Sequence, residues 1–312
     1  MAKLFDTPIL FIVFNRPDVT QQVFDQIKKI KPKKLFVAAD GFRRNVKGEK
    51  QKCEQTRNIC ENIDWDCEIK TLYREQNLGC KVAVSSAITW FFENVDEGII
   101  LEDDCYPDLT FFEYCQNLLE KYRDKSDIFL IGGNNFQKRI IENNESYYFS
   151  NYGHIWGWAT WKRAWYMHDN DYFNYDPKSS TSELSHIFNS ESEKRYWNKI
   201  FAACKLGKIN TWDYQWQYYI WKNKGISITP NKNLTINLGL KNNSTHFFLN
   251  DSYKTNLKCN SISFPLVHPK IEIDRAADIF TFKNLFSHSI VRIMRILNEN
   301  KLPSVIKYYL RK

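Results

Sequence analysis

Residues 8 to 14, PILFIVF, form an apolar run without alternation, the pattern of a central strand covered on both faces. Asn15-Arg16-Pro17 breaks the run. Val19, Val23, Ile27 and Ile30 then recur at helical spacing, with Asp18 and Thr20 as candidate capping residues and Pro32 closing the element. The alternation continues with KLFVAADG (34 to 41) as strand and turn, a helix through roughly 49 to 63, and EIKTLY (68 to 73) as strand. A helix from about 80 to 94 and GIIL (98 to 101) follow, then a helix from Leu109 to about Tyr122 and IFLIGG (128 to 133). At least five short apolar strands alternating with helices predict an α/β fold, a Rossmann-like, mainly parallel central sheet flanked by helices. Ligands of such sheets lie at the carboxyl ends of the strands. Arg16, Asp40-Gly41 and Glu102-Asp103-Asp104 all fall at such ends.

The texture changes near residue 150. Eight of the ten tryptophans lie between Trp156 and Trp221, in GHIWGWATWKRAW and TWDYQWQYYIWK. Two readings stand side by side, a packed aromatic core and a sugar-stacking cleft. Past Pro265 the chain reads as peripheral, with Ile279, Phe282, Phe286, Ile290, Ile293 and Leu297 tracing a helical stripe beside Lys283, Arg292 and Arg295. With Lys301, Lys307, Arg311 and Lys312 beyond, the stripe suits either peripheral docking on an anionic membrane or packing on the rest of the protein.

A chain of 312 residues that is 43% hydrophobic and 16% aromatic can build a real core. No stretch reaches the roughly 18 uncharged apolar residues of a membrane span, and MAKLFDTPILFIVFNRP lacks the order of a signal peptide. The expected location is cytoplasmic, where the eight cysteines, without a C-x-x-C pair, stay reduced. The N-x-S/T triplets at Asn144, Asn233, Asn243 and Asn250 then carry no glycan. A net charge of +8 suits anionic partners. Without zinc-finger spacing, an RNA-recognition signature or a long basic run, no nucleic-acid partner is expected.

Neither G-x-G-x-x-G nor G-x-x-x-x-G-K-S/T occurs, so phosphates must be neutralised without a glycine-rich loop. Three adjacent carboxylates at the end of a buried strand need cationic compensation. Mn²⁺ or Mg²⁺ supplies it, taking one or two protein carboxylates and completing its shell with diphosphate oxygens and water.

An ordered set of motifs gives these residues a context: FNRP after the first strand, ADG after the second, LEDD with FFEYCQ behind it, GWATW, WDYQW, then STH. Over about residues 8 to 247 the chain resembles nucleotide-sugar glycosyltransferases of the GT-A fold, bacterial family 2-like, and more distantly the Golgi N-acetylglucosaminyltransferase that begins complex N-glycans. The resemblance implies that Arg16 lies near the donor diphosphate, Asp40-Gly41 meet the uracil ring, and Lys81 contacts the base. It implies that Glu102 and Asp103 face sugar and ribose hydroxyls, that Asp104 binds the metal, and that His246 lies beside the diphosphate as a further metal-site residue on a mobile lid. Asp213 matches the position of the catalytic base; a helix N-cap is the other reading of that residue.

The expected organisation is a GT-A catalytic domain over 1–264, with a nucleotide-sugar-binding half (1–135) and an acceptor-binding half (136–264), and a peripheral C-terminal helical segment over 265–312. The expected activity is metal-dependent, inverting transfer of a sugar from a nucleoside diphosphate donor, a UDP-sugar, to a hydroxyl of a glycan or glycolipid acceptor, as in bacterial surface polysaccharide synthesis. A glycolipid acceptor would place the protein at the inner face of the plasma membrane. The rivals are a nucleotidyltransferase on a similar sheet and a non-catalytic carbohydrate-binding protein.

Overall fold

The computed structural model describes residues 5–137, 144–168, 173–240 and 257–286. The apolar run that opens the chain is strand β1 (Ile9–Val13). Leu10 and Ile12 enter one hydrophobic core, while Ile9, Phe11 and Val13 enter another on the opposite face. A strand buried on both sides has no polar positions to give it a period. Strands β2 (Lys34–Ala39), β3 (Glu68–Tyr73) and β4 (Glu97–Glu102) join it as a parallel run in the order β3-β2-β1-β4. Helices α1 (Pro17–Ile30), α2 (Glu49–Glu61) and α3 (Gly79–Asn94) connect them.

A short strand, β5 (Cys105–Pro107), and helix α4 (Leu109–Lys121) follow β4. The fifth strand of the sequence pattern, β6 (Ile128–Gly132), does not extend the parallel run. Another strand, β8 (Trp158–Trp161), lies between β4 and β6, antiparallel to both. Strand β9 (Ile226–Pro230) runs parallel to β6, and β7 (Tyr147–Ser150) pairs antiparallel at the far edge. The eight-stranded order is β3-β2-β1-β4-β8-β6-β9-β7. The fold is thus α/β, a large mixed, mostly parallel sheet flanked by helices, consistent with the Rossmann-like, GT-A arrangement that the resemblance implies.

The tryptophan-rich stretch is mainly core. Trp158, Trp161, Trp165, Trp197, Trp212, Trp216 and Trp221 are buried, and only Trp156 of that group keeps accessible surface. Helices α5 (Lys162–Trp165) and α6 (Pro177–Glu183) lead to α7 (Glu191–Lys205) and α8 (Asp213–Lys222), which carry much of it against the sheet. Trp158 stacks on Trp212 at 5.7 Å, and the Trp197 and Trp221 rings meet edge-on at 4.8 Å. Packing therefore replaces the sugar-stacking reading for those seven residues.

Two local readings change. Helix α1 begins at Pro17, whose ring pre-sets the helical φ and needs no N–H partner. Arg16 rather than Asp18 or Thr20 is the cap residue, and the Thr20 hydroxyl donates back to the Arg16 carbonyl at 2.7 Å. Toward the C-terminus, Ile273 bridges Phe149 of β7, and a helix over Arg275–Thr281 runs into a π-helical turn. There Phe282 packs on Tyr196 at 5.7 Å and Phe286 on Trp197 at 4.9 Å. Phe282 and Phe286 of the apolar stripe thus pack on α7, while Ile279, its first residue, is exposed. Ile290, Ile293, Leu297 and the basic residues from Arg292 onward lie outside the described residues. No helix among the described residues is long and apolar enough to cross a membrane.

Candidate active site at the carboxyl edge of the sheet

The parallel registers Val13↔Ala39 and Ile12↔Glu102 bring the ends of β1, β2 and β4 to one edge. Pro17 fixes the start of α1 there, leaving Arg16 to reach across to the end of β4. Its guanidinium donates through Nη1 to Asp104 Oδ2 at 2.8 Å and through Nη2 to Asp103 Oδ1. A planar fork suits two adjacent carboxylates. Asp103 is 2% exposed and also accepts the Phe14 backbone N–H at 3.2 Å. Its geometry serves to anchor Arg16.

Glu102, crowded by protein yet partly open to solvent, is the carboxylate of the three for which no hydrogen bond to Arg16 is found. Burial raises its pKa first, and the charges of Asp104 and Asp103 raise it further. Burial also pushes Asp103 up, against the pull of Arg16. One guanidinium does not balance three carboxylates, so the edge retains an affinity for further positive charge.

Asp213 is the first residue of α8, with Trp212 as the cap residue making no side-chain cap bond. The N-cap reading therefore does not describe it. The Thr211 hydroxyl donates to Asp213 Oδ1 and orients the carboxylate. Its charge adds to the upward pressure on Glu102 and on the Cys80 thiol, which puts Asp213 within electrostatic reach of the β4 end. Burial and the Asp213 charge push the Cys204 thiol up, and Lys81, half-buried in the first turn of α3, pulls it the other way.

Asp40 is committed to the protein itself. Its carboxylate accepts from the backbone N–H groups of Gly41 at 2.9 Å, Leu78 at 3.0 Å and Gly79 at 3.0 Å, and from Asn77 Nδ2 at 2.9 Å. A carboxylate offers about four lone-pair sites, so a nucleotide base would have to compete with these donors. Gly41 is required by the same contact, because a Cβ there would lie 2.3 Å from the Gln76 carbonyl carbon. Together they pin the loop that leads into α3 and Lys81. His246 lies outside the described residues.

The fold adds three residues that sequence reading did not single out. Glu49, 2% exposed, accepts from Asn15 Nδ2 at 2.8 Å and from the Arg43 backbone N–H at 2.7 Å, tying the loops after β1 and β2 together. The Arg43 guanidinium holds the Glu49 carboxyl below its ordinary range. Asn237 and Gly239 come from the other end of the domain. Strand β10 (Thr235–Asn237) pairs antiparallel with β5, and the Leu238 N–H donates to the Asp104 carbonyl at 2.8 Å. A Cβ on Gly239 would lie 2.5 Å from Asp104 Oδ2, 2.7 Å from Arg16 Nη1 and 3.1 Å from Asn237 Oδ1. Both residues stand in NLGLKNNSTHFF, where His246 drew the sequence reading and an Asn among many carried no signal.

Gly239→Ala is expected to overpack this point and lower stability by about 1–3 kcal/mol. Urea unfolding checks it, and an unchanged midpoint would mean that the three polar atoms do not converge there.

Among the described residues, no group of three or more His, Cys, Asp or Glu side chains could hold a metal ion. The oxygens at the edge nonetheless fit a hard cation. Asp104 contributes a carboxylate, and Asn237 Oδ1 is a buried carbonyl oxygen that accepts no hydrogen bond.

No protein-family model and no curated protein matches the chain. Among solved structures it is similar to S. aureus TarS, at 11% identity and a TM-score of 0.36 over 63% of this chain and 64% of that one. It is also similar to 4-diphosphocytidyl-2C-methyl-D-erythritol synthase from Anaerococcus prevotii, at 10% identity and a TM-score of 0.34 over 52% and 74%. A third likeness is to UTP-bound UGPase from Acinetobacter baumannii, at 8% identity and a TM-score of 0.29 over 52% and 76%. At these scores none carries an argument about function.

Proposed function

We propose that the protein is a metal-dependent, inverting glycosyltransferase that moves a sugar from a UDP-sugar to a hydroxyl of a glycan or glycolipid acceptor. The observation that carries this reading is the carboxyl-edge cluster, where Arg16, Asp103 and Asp104 form one ion-paired group with surplus negative charge and Asp213 stands within electrostatic reach of it. Mn²⁺ or Mg²⁺, held at Asp104, would neutralise charge on the diphosphate leaving group. Arg16 supplies a second cation beside it, held in place by buried Asp103. Glu102, with part of its surface open, is the carboxyl placed to meet donor hydroxyls. Asp213 accepts the proton of the acceptor hydroxyl as that oxygen attacks the anomeric carbon from the face opposite the leaving group. Buried Trp212 and Trp216 flank Asp213 in the chain and hold the start of α8 against the core.

A nucleotidyltransferase would carry a glycine- and basic-rich loop after the first strand. Here FNRPDV passes within a few residues into α1, with Pro17 at the first helical position, and leaves no length for such a loop. The test is a panel of nucleotide sugars with Mn²⁺, read by nucleotide release and then by mass spectrometry of acceptor products. Absence of any Mn²⁺-dependent donor turnover across the panel would defeat the proposal in favour of a non-catalytic carbohydrate-binding protein.

A further inference from the structure

We infer that Asn237 supplies a neutral oxygen ligand to a divalent cation beside Asp104, and that Arg16 is the resident counter-ion with which this cation competes. The inference rests on the metal reading proposed above and adds to it a residue and an order of events.

Asp103 is committed to Arg16 and to the Phe14 N–H, and no three acidic, His or Cys side chains among the described residues could share an ion. Without nucleotide, a divalent cation on Asp104 lacks the diphosphate oxygens that would complete its shell, and a second protein oxygen would strengthen its binding. Asn237 Oδ1 is such an oxygen: it is buried, and no donor satisfies it. Buried carbonyl oxygens nearly always have a partner, so an orphan facing a carboxylate marks a place where a positive ligand belongs. The placement is not left to a flexible side chain. The β5–β10 pairing sets Asn237 opposite Cys105, and the Leu238 N–H bond to the Asp104 carbonyl locks the next residue. Gly239 then carries no side chain to crowd Asp104 Oδ2, Asn237 Oδ1 and Arg16 Nη1, all of which lie within 3.1 Å of where its Cβ would stand.

Arg16 shares that point. Nη1 lies 2.8 Å from the same Asp104 oxygen, and its side chain is 40% exposed, so it has room to withdraw. A guanidinium and a divalent cation on one carboxylate oxygen repel each other, and each weakens the binding of the other. Asp103 keeps hold of Nη2 when Nη1 leaves. Cation binding at Asp104 thus frees Nη1 without releasing Arg16 from the edge, and presents it to an anionic ligand.

The test measures Mn²⁺ binding to the full chain without nucleotide, by the loss of the free-ion electron paramagnetic resonance signal. Asn237→Ala is expected to weaken Mn²⁺ binding about ten- to a hundredfold, as loss of a metal's protein partners does. Asn237→Asp, nearly identical in size, is expected to tighten it by about tenfold or more, and Arg16→Gln is expected to tighten it as well. Tightening cannot come from misfolding, which keeps the test decisive if Asn237→Ala is unstable. Unchanged affinity in both Asn237 variants, or weaker binding in Arg16→Gln, overturns the inference. If Asp104→Asn alone loses the ion, Asn237 is excluded while the proposed function stands. If the wild-type chain binds no Mn²⁺, the inference fails together with the metal reading, and the donor panel then judges the transferase reading separately.

Discussion

Asp104→Asn is expected to lower Mn²⁺-dependent sugar transfer by about a thousandfold or more, because a metal on a leaving diphosphate supplies several kcal/mol of transition-state stabilisation. The substitution is nearly isosteric, and the Asn carbonyl can still accept from Arg16 Nη1, which now lies 2.8 Å from the Asp104 carboxylate. The fold should therefore survive, and a thermal unfolding curve close to wild type is part of the expected result. UDP binding measured by calorimetry should weaken strongly with Mn²⁺ present and change little with Mn²⁺ absent. Transfer near the wild-type rate would remove Asp104 from the metal site. Equal loss of UDP affinity with and without Mn²⁺ would assign it to direct contact with the nucleotide.

Asp213→Asn separates base from scaffold. In the wild-type chain the Thr211 hydroxyl aims the carboxylate, and Trp212 rather than Asp213 is the cap residue of α8. The variant is expected to keep UDP-sugar affinity within a few fold and to lose roughly 10²- to 10⁴-fold in transfer rate, the usual contribution of a positioned base. An Asp in the first turn also interacts with the helix dipole, which is worth about 0.3–1 kcal/mol. A small fall in stability is therefore part of the expected result and is too small to explain such a rate loss. A variant that retains most of its rate would leave Asp213 a helix-start residue only. A product with retained anomeric configuration would also exclude it as the base, since that outcome needs a different sequence of bonds.

The β1–α1–β2 alternation was legible because apolar runs and helical spacing are local properties, and the parallel sheet they imply brings strand ends to one edge. Arg16 and Glu102-Asp103-Asp104 could be placed together on that ground alone, and the structure sets Arg16 between Asp103 and Asp104. The α8 start was legible only in part. Asp213 stood out by its charge among tryptophans, while its place as first helical residue rather than cap had to be seen in the backbone.

Other features depend on pairing between distant segments. WATW is four buried residues without a period, so nothing local shows that it enters the sheet antiparallel between β4 and β6. The tryptophans have the same composition in a core or a cleft, and packing against α7, α8 and the sheet decided for the core. Asp40 was read at the correct strand end, but its donors come from the loop before α3, which the chain folds onto it from beyond β3. Sequence by itself thus determined the class of fold and the edge that gathers charge, because periodicity and strand order act within a few residues. Only the tertiary structure decided which carboxylate is already paired and that Asn237 and Gly239 face Asp104, because the β5–β10 ladder joins segments whose mutual contact no local pattern encodes.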